Sequence, residues 1–128
     1  MRKNMMRIFI VSLIFSASIA SAGPESNVVI DQILAKNNYA IENWEPRGLN
    51  PSPPAKIALM NAATKTFLTS LKSTASNSTF SKPQLEKTVR ALVDDLPWYE
   101  LDTEEREFLA DVISPAITSV GLNPKVFF

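Results

Sequence analysis

The sequence predicts an all-α fold, a small bundle of about four helices with a long Pro-rich loop between the first and the second. Two observations carry this prediction. Apolar residues recur at helical spacing in several segments, and no segment alternates apolar and polar residues as a half-buried strand does. Ser, Asp, Pro and Gly residues also stand where such helices would start and stop. A helical bundle is the natural way for these segments to bury their apolar faces.

Residues 1–22 have the pattern of a signal peptide. A basic start is followed by a short apolar run at residues 8–15, and Ala20-Ser21-Ala22 supplies the small residues of a cleavage site. The apolar run is shorter than the roughly 20 residues that a membrane-spanning helix needs. We therefore expect cleavage after Ala22, no membrane span in the mature chain, and a periplasmic or secreted location. Residues 23–128 are expected to form a single helical domain.

Composition excludes several classes of function. The 13 Lys and Arg residues balance the 13 Asp and Glu residues. Three of the basic residues lie in the signal peptide, so ten basic residues face 13 acidic ones in the mature chain, a net charge of −3. A mildly acidic chain argues against nucleic acid as a partner, since that binding needs clustered basic residues. The chain has no Cys and no His, which excludes disulfides, Cys nucleophiles, Ser-His-Asp triads and ordinary zinc sites.

The first predicted helix and the loop after it follow from local signals. Ser26 or Asn27 is expected to cap the helix, which should fade near Asn37 and Asn38. Residues 38–54 then contain too many Pro and Gly residues for regular structure. Gly48 within this linker is expected to take a backbone angle that a side chain would disfavour.

The second predicted helix starts after a Pro pair. Ser52 is expected to cap it, with Pro53 and Pro54 at its first positions, where a missing N–H costs nothing. A polar loop at residues 73–79 should end it.

The third and fourth predicted helices each begin with a capping box. Ser81 pairs with Gln84, and Asp102 pairs with Glu105. Pro97 should stop the third helix, because the residue before a proline is pushed out of helical geometry. In the fourth helix Pro115 is expected to cause a kink, and Gly121 is well placed as the C-terminal cap. The apolar tail at residues 126–128 is expected to dock on the bundle.

Residues 94–107, DDLPWYELDTEERE, form what we call the acidic segment. It holds seven carboxylates around a Pro-Trp-Tyr sequence. Capping accounts for Asp102 and Glu105, and a helix start suits Glu104 and Glu107. The segment lacks the central Gly of an EF-hand loop and places Pro-Trp-Tyr where calcium ligands should be, so no metal site is predicted. A protein that binds calcium or magnesium through oxygen ligands is the third interpretation of these carboxylates.

Six residues are candidates for binding. Trp98 is expected to pack mainly against the core, and Tyr99 is balanced between burial and contact with a partner. Arg47 is expected to pair with a carboxylate of the acidic segment. The candidate binding residues are Asp94, Asp95, Trp98, Tyr99, Glu100 and Arg47.

Two stretches of the chain resemble a known bacterial family. Residues 45–71 are similar to its Arg-Gly-Leu-Asn-Pro entry into a helix, and residues 96–122 are similar to its closing helix with the run Leu-Asp-Thr-Glu-Glu-Arg-Glu. The chain thus resembles the family catalogued as domain of unknown function 4844. This resemblance implies a small helical domain of bacteria, with no known activity and no catalytic residues to carry over.

The sequence favours a small exported protein that binds another protein without catalysis, of the inhibitor or immunity type. The alternative is a carboxylate-based hydrolase acting on cell-wall glycan, which requires at least two carboxylates of the acidic segment to converge in a cleft. No catalytic residue and no cofactor are predicted.

Overall fold

The computed structural model describes residues 24–77 and 79–128. These residues form four α-helices: α1 (Pro24–Ala35), α2 (Pro54–Ala75), α3 (Lys82–Asp94) and α4 (Thr103–Ser119). No β-strand occurs within the described ranges. The all-α prediction is therefore confirmed. The predicted signal peptide and its cleavage site lie outside the described residues.

The helices pack around α2 and α4. α1 lies against both of these helices, α2 also contacts α4, and α3 packs on α2. The core is built from the apolar faces of all four helices, and its largest fully buried aliphatic side chains are Ile30, Met60, Leu68, Leu71, Val89, Leu109, Ile113 and Ile117. No helix in the described part of the chain combines the length and the apolar character needed to cross a bilayer.

The boundaries of α1 differ from the prediction. The helix begins at Pro24, so Ser26 and Asn27 lie inside it and do not cap it. Ser26 is fully buried, which places it on the core side of the first turn. The helix also ends earlier than predicted, at Ala35, where the Asn38 side-chain amide donates a 3.0 Å hydrogen bond to the Ile33 carbonyl. A side chain that satisfies a terminal carbonyl in this way provides a stop that spacing alone does not reveal.

The Pro-rich linker is more regular than predicted. It contains two short 3₁₀ helices, Ile41–Asn43 and Glu45–Arg47, and Gly48 follows them with a φ of 75°, as expected for this glycine. The prediction of irregular structure was wrong for these two turns, which lie on either side of Trp44, a side chain that is only 1% exposed. A buried anchor makes short turns the natural way to return the chain to the core.

An aromatic cluster attaches this linker to α4. The rings of Tyr39 and Trp44 both meet the Phe108 ring edge-on, at centroid distances of 5.0 and 4.9 Å. The Trp44 indole N–H donates to the Tyr39 carbonyl at 3.1 Å, and the hydroxyls of Tyr39 and Thr64 share a 2.7 Å hydrogen bond. Burial raises the pKa of the Tyr39 hydroxyl, and the hydrogen bond to Thr64 opposes this shift only in part. Tyr39 is therefore held in its neutral form.

The start of α2 corrects a second prediction. The helix begins at Pro54, and the preceding Pro53 provides no side-chain cap. Ser52 does not cap the helix either, because Pro53 occupies the N-cap position. Pro54 disfavours helical geometry for the residue before it, so Pro53, with a ψ of 153°, stays outside the helix and Ser52 lies one position too early to cap it. The Ser52 hydroxyl instead donates a 2.5 Å hydrogen bond to the carboxylate of Glu105.

Both predicted capping boxes are present. The Ser81 hydroxyl accepts from the Gln84 amide, and the Gln84 side chain accepts from the Ser81 amide. The Asp102 and Glu105 pair makes the same two bonds at the start of α4, each 2.8 Å long. Since each pair satisfies two backbone donors with residues three apart, the pattern is readable from the sequence alone.

The end of α4 also follows its predicted signals. The helix is continuous through Pro115 to Ser119, so the proline removes one hydrogen bond without ending the helix. Gly121, with a φ of 90°, donates to the Thr118 carbonyl, and the Leu122 amide donates to the Ile117 carbonyl. These two bonds form a Schellman motif, which confirms the glycine as the residue that terminates the helix.

The C-terminal tail docks on the bundle. Residues Pro124–Val126 form a 3₁₀ turn, after which Phe127 is partly buried against the core with the Arg90 guanidinium 5.0 Å from its ring centre. Phe128 meets Trp98 edge-on at 6.0 Å but is 47% exposed. The predicted docking is thus confirmed for Phe127, while Phe128 contributes to the surface.

Candidate binding surface

The acidic segment connects α3 to α4. Asp94 is the last residue of α3, Trp98–Glu100 form a 3₁₀ turn, and Asp102 caps α4. Six of its seven carboxylates are exposed, and only Glu105 is buried. The segment therefore presents negative charge to solvent around a short central turn.

Hydrogen bonds fix this central turn to three helices. The Trp98 indole N–H donates to the Val93 carbonyl of α3 at 2.8 Å. The Arg106 Nε of α4 donates to the carbonyls of Trp98 and Leu101, at 2.8 and 3.0 Å. The Lys56 ammonium of α2 donates to the Glu100 carbonyl. A turn held from three sides keeps its backbone in place although it lies at the surface.

Tyr99 is the most exposed large hydrophobic residue in the described part of the chain. Its side chain is 100% exposed, whereas its neighbour Trp98 is half-buried and packs against the core. The expectation that Trp98 packs against the core is therefore confirmed. For Tyr99 the sequence left burial and exposure open, and the structure shows that the side chain is exposed. An aromatic ring on a fixed turn loses little conformational entropy on contact with a partner, because its backbone is already ordered.

Asp94 and Asp95 have no stabilising role in the fold. Both are exposed, and neither forms an ion pair with any described residue. They lie at the C-terminal end of α3, where the helix dipole favours cations and disfavours anions by roughly a few tenths of a kcal/mol per exposed charge. Their position is thus unfavourable for stability, and the fold offers no compensating contact.

Arg47 is not part of this surface. It forms a 2.8 Å salt bridge with Asp111, which lies beyond the acidic segment on α4, and its guanidinium lies 4.4 Å from the centre of the Phe108 ring. The prediction that Arg47 pairs with the acidic segment was wrong, because the buried ring of Phe108 draws the guanidinium to the aromatic cluster. The five other candidate residues all lie in the acidic segment.

Lys56 is the cation that reaches the acidic segment, and sequence reasoning missed it. Besides its bond to the Glu100 carbonyl, its ammonium lies 3.9 Å from a carboxylate oxygen of Glu105. Nothing in the spacing along the chain signals this contact, because 44 residues separate Lys56 from Glu100. Only the packing of α2 beside the start of α4 brings them together.

Glu105 is the buried carboxylate of the acidic segment, and both of its oxygens are engaged. One accepts the Asp102 amide N–H, and the other accepts the Ser52 hydroxyl. With 4% of its surface exposed, Glu105 joins the linker to the start of α4. These contacts give it a structural role and leave it no access to a substrate. The described residues contain no group of three or more Asp or Glu side chains arranged to hold a metal ion.

Comparison with other proteins adds no relative. No family model matches the chain, and no curated protein or solved structure is significantly similar to it. The resemblance to the family of unknown function, which depends on residues 45–71 and 96–122, therefore stays a prediction.

Proposed function

We propose that this chain is an exported, non-enzymatic protein-binding module of the inhibitor or immunity type. The observation that carries the proposal is Tyr99, a fully exposed aromatic side chain on a turn fixed by hydrogen bonds to three helices. Tyrosine is among the residues that contribute most to protein interfaces, because one ring offers a large contact area and one hydrogen-bonding group. The partner is a protein that meets the chain at this turn.

The setting of Tyr99 supports the same function. Asp94, Asp95 and Glu100 are exposed around the turn, and Phe128 adds a half-exposed ring beside Trp98. An aromatic centre with a charged rim is the usual anatomy of a protein interface. The signal-peptide pattern of residues 1–22 supports an encounter in the periplasm or outside the cell.

The hydrolase alternative lacks a supporting observation. Acid–base hydrolysis of a glycosidic bond needs two carboxyl groups facing one another across the bond, one of them in a protected environment. Within the acidic segment, Glu105 has that protection, but its oxygens are occupied by Asp102 and Ser52. Asp94 and Asp95 are open to solvent. Binding is therefore the function that this geometry supports best.

Site-specific crosslinking tests the proposal. Tyr99 is replaced by the photoreactive residue p-benzoylphenylalanine, and Thr118, which is exposed near the other end of α4, receives the same residue as the matched control. We expect irradiation of a periplasmic extract to give one protein adduct from position 99 and none from position 118.

The charge of the surface provides the second arm of this experiment. The variant Asp94→Lys/Asp95→Lys/Glu100→Lys, combined with the photoreactive residue at position 99, should give at most a tenth of the adduct. Identical adducts from positions 99 and 118, or an unchanged yield after charge reversal, would remove the turn from the proposed function.

A further inference from the structure

An apolar groove lies beside the Tyr99 turn, between α2 and α3. It has a volume of 390 Å³ and is lined by residues of both helices and of the segment that leads into the turn. Its apolar lining includes Leu59, Ala63, Phe67, Leu92, Leu96 and Pro97. Pro97, at the edge of the groove, directly precedes Trp98 and Tyr99 in the chain, so the groove ends where the turn begins.

The groove has room for side chains of a partner. Its volume lies at the lower end of the range of roughly 300–1,000 Å³ that is typical of ligand pockets. Phe67 is 2% exposed, whereas Leu59, Ala63 and Leu92 are half-buried and remain accessible. A groove of this size and lining suits one or two large apolar side chains better than a polar small molecule.

A single carboxylate gives the groove its charge. Asp95 lines it, is exposed, and makes no ion pair with any described residue. Asp94 stands beside it, and the remaining polar lining consists of the neutral hydroxyl side chains of Thr66 and Ser70. An anion that the fold leaves unpaired at the edge of an apolar groove is complementary to a cation placed next to an apolar side chain.

We propose that this groove receives a partner segment in which a large apolar side chain is followed or preceded, within about one helical turn, by Lys or Arg. The apolar side chain fills the space between α2 and α3, and the cation pairs with Asp95. This inference rests on the proposed function, since it identifies the chemistry of the protein that meets the Tyr99 turn. It also accounts for an anion at a helix end that disfavours it.

The test uses a random twelve-residue peptide display library, selected on the complete mature chain. We expect the enriched peptides to share a Leu, Ile, Phe or Trp within four positions of a Lys or Arg. Affinity for a synthetic peptide of the enriched sequence is then measured with variants. Asp95→Lys and Ala62→Arg, an exposed position in the groove lining, should each weaken binding at least tenfold.

Matched controls keep the inference separate from the proposed function. Glu42→Lys makes the same charge change at an exposed position in the linker, outside the groove, and should leave the affinity unchanged. If Tyr99→Ser weakens the affinity for the peptide but Asp95→Lys and Ala62→Arg do not, the groove inference is overturned and the turn is supported as a binding site. If only the groove variants weaken the affinity, the groove is supported as the binding site and the role proposed for Tyr99 is not.

Two further outcomes also contradict the groove inference. One is enrichment of peptides without a basic residue, and the other is no enrichment above that obtained with the double variant Ala62→Arg/Asp95→Lys. A second copy of this chain as the occupant would appear as concentration-dependent dimerisation that Ala62→Arg abolishes, and this result would likewise replace the proposed partner.

Discussion

The buried hydroxyl of Tyr39 predicts a specific loss of stability at alkaline pH. An unfolded tyrosine releases its proton near pH 10.0, whereas the buried Tyr39 retains it to higher pH because its pKa is raised by burial. The folded state then binds one proton more than the unfolded state, so the free energy of unfolding falls as pH rises above 10. The slope is about 1.4 kcal/mol for each pH unit. Below pH 10 this contribution is fully present.

The substitution Tyr39→Phe separates this effect from other alkaline titrations. At pH 8 the variant loses the 2.7 Å hydrogen bond to Thr64, which should cost about 1 kcal/mol. The variant has no phenol at this position, so it does not share the loss of stability that the wild type undergoes above pH 10. The difference in free energy of unfolding between the two proteins should therefore shrink there. A gap of about 1 kcal/mol should close by roughly pH 11, because the wild type alone has lost about 1.4 kcal/mol by then.

Urea denaturation at several pH values from 8 to 11.5 measures these differences. Tyr99→Phe is the matched control, since its side chain is fully exposed, and removing its hydroxyl should leave the stability at pH 8 unchanged. Parallel curves for wild type and Tyr39→Phe over the whole range would refute the reasoning, because they would show that Tyr39 releases its proton at the same pH in both states.

Three further predictions concern the contacts that hold the acidic segment and the ends of α4. Ser52→Ala should destabilise the fold by about 1–2 kcal/mol and Glu105→Ala by about 2–3 kcal/mol. Because both changes remove the same hydrogen bond, urea denaturation should show the double variant to be no less stable than Glu105→Ala. In thermal unfolding, Gly121→Ala should lower the stability by about 1 kcal/mol and Gly121→Asn by clearly less. A φ of 90° strains alanine more than asparagine, and no neighbouring atom opposes a Cβ at this position. Asp111→Asn should lower the free energy of unfolding by less than about 1 kcal/mol, because the Asp111 side chain is 64% exposed. Arg47→Ala should lower it more, because this change also removes the contact with the Phe108 ring. Equal losses for the two variants in urea denaturation would contradict this order.

Local signals in the sequence predicted the N-terminal caps of α3 and α4 and the C-terminal end of α4 correctly. The pairs Ser81–Gln84 and Asp102–Glu105 and the glycine at position 121 act through residues three or four apart, so their chemistry is visible without the fold. The exposure of Tyr99 was left open by the sequence, because a Trp-Tyr pair has the same pattern whichever ring is buried. The hydrogen bond between Trp98 and the Val93 carbonyl turns one ring inward and leaves the other outside.

Contacts between distant residues determine the partners of Ser52 and Arg47, which the sequence did not predict. The Ser52 hydroxyl donates to Glu105, which lies 53 residues further on. The sequence offers Arg47 many acidic residues as possible partners. Its guanidinium lies over the ring of Phe108, and from this position it pairs with Asp111. In both cases the partner is set by how the linker packs on α4, which no local pattern encodes.

The aromatic cluster has a consequence for the conditions under which this chain folds. Tyr39 and Trp44 pack on Phe108, so non-covalent contacts close a loop of more than 60 residues that a small exported protein often closes with a disulfide. With no cysteine in the chain, the folded state is insensitive to thiol reductants and oxidants. The same structure should therefore form under reducing and under oxidising conditions, which the export proposed for this chain would require.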